Sequence, residues 1–179
     1  VTVFEAVPLE LDIHLWPQVP LINLTPRFQR LAMGEPFTLA LNLYNLPNVA
    51  SIACTISVQT APVDLDSLVL SQSTVPSAQL SQTQIFGSWL KRRVVLTSGN
   101  EGTSLFTTPD CCHLLDAKFQ SFDFWDEPLA IVHVDILPEA IVDIVGRQIN
   151  LETVYVDFAE LVLRSTTTAT EPGHSANHR

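Results

Sequence analysis

The stretch that most constrains this chain is Phe37–Thr60, FTLALNLYNLPNVASIACTISVQT. Leu39, Leu41 and Leu43 fall on one side of an extended backbone, and Thr38, Ala40, Asn42 and Tyr44 on the other. After a break at Leu46-Pro47-Asn48 the alternation resumes, with Ile52, Cys54, Ile56 and Val58 opposed to Ser51, Ala53, Thr55, Ser57 and Gln59. Successive side chains of a strand point to opposite faces, so an apolar residue at every second position gives the strand one buried face. Two such runs around a Pro/Asn turn predict two half-buried strands joined as a hairpin, here the central hairpin of a sandwich.

The rest of the chain reads in the same way. Leu9, Leu11, Ile13 and Leu15 alternate with Glu10, Asp12, His14 and Trp16, a first strand ended by Pro17. Gln18–Pro36, with prolines at 20, 26 and 36, reads as a long connection crossing between sheets, with room for a helical turn or two over Arg27–Met33. Val63–Ser73 is a weaker strand, Val75–Gln84 a loop, Ile85–Ser98 one strand, and Glu101–Asp116 a second long loop. Phe119–Trp125, Leu129–Leu137 (stopped by Pro138), Ala140–Val145 and Ile149–Leu163 complete the strands. No stretch of helical spacing exceeds about two turns, short of the roughly 11–12 residues of an average helix. Eight or nine strands at this spacing predict an all-β chain. The expected architecture is an antiparallel two-sheet β-sandwich, with an immunoglobulin-like arrangement favoured over a jelly roll. Residues 1–164 are expected as a single domain, and 165–179, STTTATEPGHSANHR, as a mobile polar tail.

Composition narrows the function classes. With 46% hydrophobic residues among 179, the chain can fill a two-layer core. No apolar run approaches the ~18–20 residues of a membrane-spanning helix, and Val1–Pro8 lacks the pattern of a signal peptide. The compartment is left open. The net charge is −10, with eleven acidic residues between Asp110 and Glu160 against Lys118 and Arg147. That field repels phosphate backbones, so no direct nucleic-acid partner is expected. The one basic cluster, Lys91-Arg92-Arg93, reads as a charged strand start that discourages edge pairing.

The candidate chemistry is thin. Three cysteines make no even disulfide framework. Cys54 sits on an apolar strand face and reads as a small buried hydrophobe, while the adjacent Cys111 and Cys112 do not suit a relaxed disulfide. Cys111-Cys112-His113 is contiguous, whereas zinc ligands are spaced so that each can reach one ion. His133 and Asp135 share a strand face, and Asp12 and His14 lie on the polar face of the first strand, but each pair lacks a third ligand. Asp64, Asp66, Asp123, Asp126 and Glu127 cluster near strand ends without the D-x-D-x-D-G calcium pattern, and read as a solvated rim. Asn23-Leu24-Thr25 fits the glycan-acceptor pattern, but Pro26 follows at once, and it reads as an unmodified loop asparagine. No P-loop, G-x-G-x-x-G or G-x-S-x-G is present. Neither an enzyme nor a cofactor is expected.

The polar strand faces carry the functional reading. They are small and uncharged, in a chain with only two lysines, and the cores of protein interfaces are depleted in charge. The expectation is a non-catalytic β-sandwich subunit that acts through protein–protein contacts in a larger assembly. Its partners are other protein subunits, copies of itself or different chains, with small-molecule ligands disfavoured. Trp16, Asn42, Tyr44, Ser51, Thr55 and Ser57 are the expected contact residues. The alternative is a carbohydrate-binding module, with or without calcium, using Trp16 or the loop carboxylates, with Trp16, Trp89, Trp125, Phe122 and Phe124 as the aromatics able to line a groove for sugar rings or for a partner.

Overall fold

The predicted central hairpin is an arch between two sheets. The computed structural model describes residues 19–46, 48–59, 63–76, 80–88, 90–106, 111–122 and 127–165, with backbone alone for Ser81, Gln82, Cys111 and Cys112. Strands β3 (Pro36–Tyr44) and β4 (Val49–Val58) form where the alternation places them. Leu39, Leu41 and Leu43 are buried on one, and Ile52, Cys54, Ile56 and Val58 on the other. The two strands nevertheless belong to different sheets. Asn45 and Asn48 take left-handed φ values of 53° and 61°, which asparagine tolerates better than most residues. Leu46 between them is buried, which draws the connection across the end of the core. Alternation fixes which face of a strand is buried; it does not fix which strand it pairs with.

Around these two lie β1 (Leu21–Thr25), β2 (Phe28–Ala32), β5 (Val63–Leu70), β6 (Leu80–Gly87), β7 (Lys91–Ser98), β8 (Cys111–Ser121), β9 (Leu129–Asp143), β10 (Tyr155–Val156) and β11 (Ala159–Arg164). The five-stranded sheet has the order β10-β1-β3-β8-β5, and the six-stranded sheet β2-β11-β9-β4-β7-β6. Neighbours run antiparallel except for two short edge pairs, β1 with β10 and β2 with β11. The fold is therefore the expected two-sheet β-sandwich. The layers share a core in which Phe37 stacks on Phe119, with ring centroids 4.8 Å apart and planes 6° from parallel.

Several boundaries move. Gln18–Pro36 does cross between sheets, but as β1 and β2 joined at the cis Thr25–Pro26 bond, with no helical turn over Arg27–Met33. Ile85–Ser98 is two strands, β6 and β7, so that part of the expected Val75–Gln84 loop is strand. They turn at Gly87, whose φ is 139° and where an added Cβ would lie 2.2 Å from the Lys91 carbonyl oxygen. The second loop is shorter than expected, because β8 begins at Cys111. Pro138 does not stop β9, and Ile149–Leu163 divides into a 3-10 turn, β10 and β11, which lie in opposite sheets. Leu9–Leu15 and the tail beyond Ser165 lie outside the described residues.

Candidate protein-contact face

Pro138 explains the most distinctive feature of the six-stranded sheet. Proline offers no amide hydrogen to a ladder and is tolerated inside a sheet mainly at a bulge. Across β4 and β9, Ala53 pairs with Ala140 and Cys54 with Pro138, leaving Glu139 as the extra residue. A bulge re-aims its side chain, and Glu139 swings onto the outer face of the sheet. There Thr55 Oγ1 donates to Oε1 at 2.6 Å and Arg93 Nε donates to Oε2 at 2.5 Å. The Thr55 hydroxyl and then the Arg93 guanidinium hold the Glu139 carboxyl below the ordinary value of 4.5.

Register extends this cluster into a row. Phe86 pairs with Arg93, Arg93 with Thr55, and Thr55 with Leu137, so all four side chains leave the same outer face. Arg93 lies over the Phe86 ring, 5.7 Å from its centroid. A shallow depression of about 400 Å³ is lined by Thr55, Phe86, Gly87, Ser88, Lys91, Arg93 and Glu139. Toward the other edge, His133 pairs with Glu160 and Glu160 with Phe28, while Ile131 pairs with Val162 and Val162 with Arg30. Phe28 and Ile131 are each 51% exposed, Leu137 60% and Phe158 48%. Arg30 covers Phe28 at 5.6 Å, and His133 meets Phe158 edge-on at 5.8 Å and Glu160 Oε2 at 3.8 Å. Single exposed apolar residues are ordinary on a protein surface; several on one sheet face, interleaved with Arg, His and Glu, make this face the strongest interface candidate among the described residues.

The structure divides the six expected contact residues. Ser51, Thr55 and Ser57 lie on this outer face, but Thr55 is only 3% exposed beneath Glu139. It supports the face rather than contacting a partner, because the bulge caps it. Ser51 is tied to Thr97, with hydroxyl oxygens 3.3 Å apart. Asn42 and Tyr44 are on β3, in the other sheet. Asn42 is 7% exposed and donates to Thr25 Oγ1 at 2.9 Å and Asn23 Oδ1 at 3.3 Å, so its amide is spent inside the sheet. That pairing also places Asn23, read above as a loop residue, in a strand and buried. Trp16 lies outside the described residues, as do Trp89, Trp125 and Phe124. Reading the sequence missed Phe28, Phe86, Ile131, Leu137, Phe158 and Glu139. The available signal was Ile131 and Leu137 alternating in phase with His133 and Asp135, two large apolar residues on a strand's polar face.

The metal candidates do not converge. His133 turns to Glu160 and Phe158, while Gln59 Nε2 donates to Asp135 Oδ2. His113 contacts Asp116 at 2.9 Å on the five-stranded sheet. Among the described residues no group of three or more His, Cys, Asp or Glu side chains is placed to hold an ion. No helix among them is long and apolar enough to cross a membrane.

No protein-family model and no curated protein sequence matches the chain. Solved structures do. A type I cohesin–dockerin complex from Clostridium thermocellum ATTC 27405 superposes with a TM-score of 0.65 at 10% identity, covering 81% of this chain and 99% of that one. A non-cellulosomal cohesin from the hyperthermophilic archaeon Archaeoglobus fulgidus gives 0.63 at 13% identity, covering 83% and 94%. The fold is similar to that of cohesin domains. At these identities the likeness is one of fold, and the immunoglobulin-like arrangement expected above approximates a sandwich that is jelly-roll-like in the cohesins.

Two expected results follow from the bulge and the strand beneath it. Cys54 is fully buried, and burial pushes its thiol up to about 12. Iodoacetamide at pH 8 should therefore leave the Cys54 peptide unmodified in the native protein and alkylate it after unfolding; labelling at the native rate of an exposed thiol would contradict its placement. Glu139→Gln should cost about 1 kcal/mol at neutral pH, the scale of a half-exposed ion pair. Because the folded carboxyl titrates below 4.5, its contribution is fully present above that value and is lost as pH falls through the folded pKa. Urea melts of wild type and Glu139→Gln should differ by a constant amount from pH 5 to 8 and converge below about 4.5. A gap that widens in acid would contradict the hydrogen-bonded carboxylate.

Proposed function

We propose that the chain is a non-catalytic binding module that recruits another protein through the outer face of its six-stranded sheet. The observation that carries this reading is the exposed set Phe28, Ile131 and Leu137 on one sheet face, with Phe158 beside them against His133 and Phe86 farther along the face. Aromatic and aliphatic anchors interleaved with Arg30, His133, Asp135 and Glu160, as these are along β2, β11 and β9, combine the apolar contacts and the polar groups that interfaces carry. The fold supports it: several similar structures are cohesins solved together with dockerins. A dockerin is the partner of those proteins; for this chain the proposal is a protein partner that presents an apolar surface with a complementary polar rim. Carbohydrate binding has no arrangement of described residues in its favour. The test is capture of partners from the native source by wild type and by Leu137→Arg and Ile131→Arg in parallel. Loss of the same partner from both variants supports the face, and retention by both removes it.

A further inference from the structure

Among the described residues the two sheets end in four edges, and these are not equally protected. Edge strands present unpaired backbone groups, and proteins discourage their pairing with charge, proline, bulges or shortness. Strand β10 has only two residues. Strand β2 carries Arg30 within five residues. Strand β5 carries Asp64 and Asp66, with a bulge at Asp66 between the Leu65 and Ser67 pairings. Strand β6, LSQTQIFG, has eight residues with no charge and no proline, and its one register shift lies at its start, between Leu80 and Gln82. Lys91-Arg92-Arg93, read from sequence as guarding an edge, lies on β7, which β6 covers. There Arg93 is held by Glu139, and Arg92 Nη2 donates to the Asp66 carbonyl oxygen at 2.6 Å.

We propose that β6 pairs with β6 of a second copy of this chain, antiparallel across a two-fold axis, to make one continuous sheet from two six-stranded sheets. A two-fold interface is isologous, so each side chain meets its own equivalent or a near neighbour, and a strand free of charge is the edge that suits this. On β5 the same symmetry would bring carboxylates together, and on β2 guanidinium groups. Gln84 and Phe86 point outward with Val95 and Arg93, while Ile85 points inward with Val94. Joining outer face to outer face requires residues of the same phase to oppose each other. The register with Gln84 facing its own copy does this, setting Gln82 against Phe86 and Thr83 against Ile85. The nearest carboxylate on this side of the sheet, Glu139, is already paired with Arg93 on β7 and is not itself on the edge strand. The dimer would place two copies of the outer face side by side, and a partner with two matching surfaces would gain avidity without new contacts. The pairing does not depend on the proposed partner-binding role.

The test is native mass spectrometry across a dilution series, with hydrogen exchange on residues 80–87. Wild type is expected to form a dimer as concentration rises, with protection of 80–87 rising in step. Gln84→Lys puts two like charges opposite each other and should abolish the dimer, as should Gln84→Glu. Mixing these two variants should restore a mixed dimer, which also shows that each is folded. Leu137→Arg should dimerise like wild type, which separates this outcome from that of the partner-binding face. A single-chain mass at every concentration would overturn the proposal. So would a dimer that survives Gln84→Lys, or protection of 80–87 that appears only when a different protein is added.

Discussion

Phe119→Ala is expected to lower the free energy of unfolding by about 3–5 kcal/mol. Phe119 is 1% exposed and lies on β8, between β3 and the edge strand β5, opposite Phe37 on the one and Leu65 on the other. Truncation removes the buried ring and its stack on Phe37, and it leaves a cavity that two neighbouring strands cannot close without shifting their hydrogen bonds. Domains of this kind are stable by only about 5–15 kcal/mol, so this one change would remove a large share. Urea titration should show a lower midpoint with an unchanged slope, and Phe119→Leu should lose much less because most of the volume is kept. Equal midpoints for Phe119→Ala and wild type would mean that the ring is not in the core.

The second large effect is on association. Ile131→Arg and Leu137→Arg should each weaken partner binding by at least ~30-fold, the effect of losing an anchor worth about 2 kcal/mol or more. Both side chains stand on the solvent side of β9, more than half exposed. Their replacement should therefore shift stability by no more than about 0.5 kcal/mol. That separation is what gives the pair its value. Thr55→Arg, the substitution that sequence alone would favour, cannot make it, because Thr55 is buried under the Glu139 bulge and the change would disturb the sheet. If Ile131→Arg unfolds the chain, β9 does not face solvent as described; if it folds and binds normally, Ile131 is not in the contact.

Much of the fold was legible because burial leaves a period of two in sequence. Leu39, Leu41, Leu43, Ile52, Cys54, Ile56 and Val58 all face the core as their alternation predicts. Pairing was not legible, because hydrogen bonds between strands join backbone groups that carry no sequence signature. The arch at Asn45–Asn48, taken for a hairpin, is the clearest case. Short edge elements were also misread, β2 as part of a connection and β10 as part of one longer strand. β2 and β10 lack the full alternation of a central strand, and each pairs with a single neighbour.

The proposed contact face was half legible. Serines and threonines on the outer side of β4 drew attention to the sheet proposed here for contact, but low charge alone also selected Asn42, which is buried by its own hydrogen bonds. The outward direction of Glu139 was not legible, since it depends on a bulge that forms around Pro138. Phe28 and Phe86 sit on strands that the sequence reading took for a connection and for part of a single longer strand. Their exposure follows from topology rather than from any local pattern.

The most direct test is hydrogen-exchange or hydroxyl-radical footprinting of the chain alone and with the partner it co-purifies with from its native source. The account predicts new protection on Phe28, Ile131, Leu137 and Phe158, with the side chains of the five-stranded sheet unchanged. Protection confined to the five-stranded sheet, or none on β9, would contradict it.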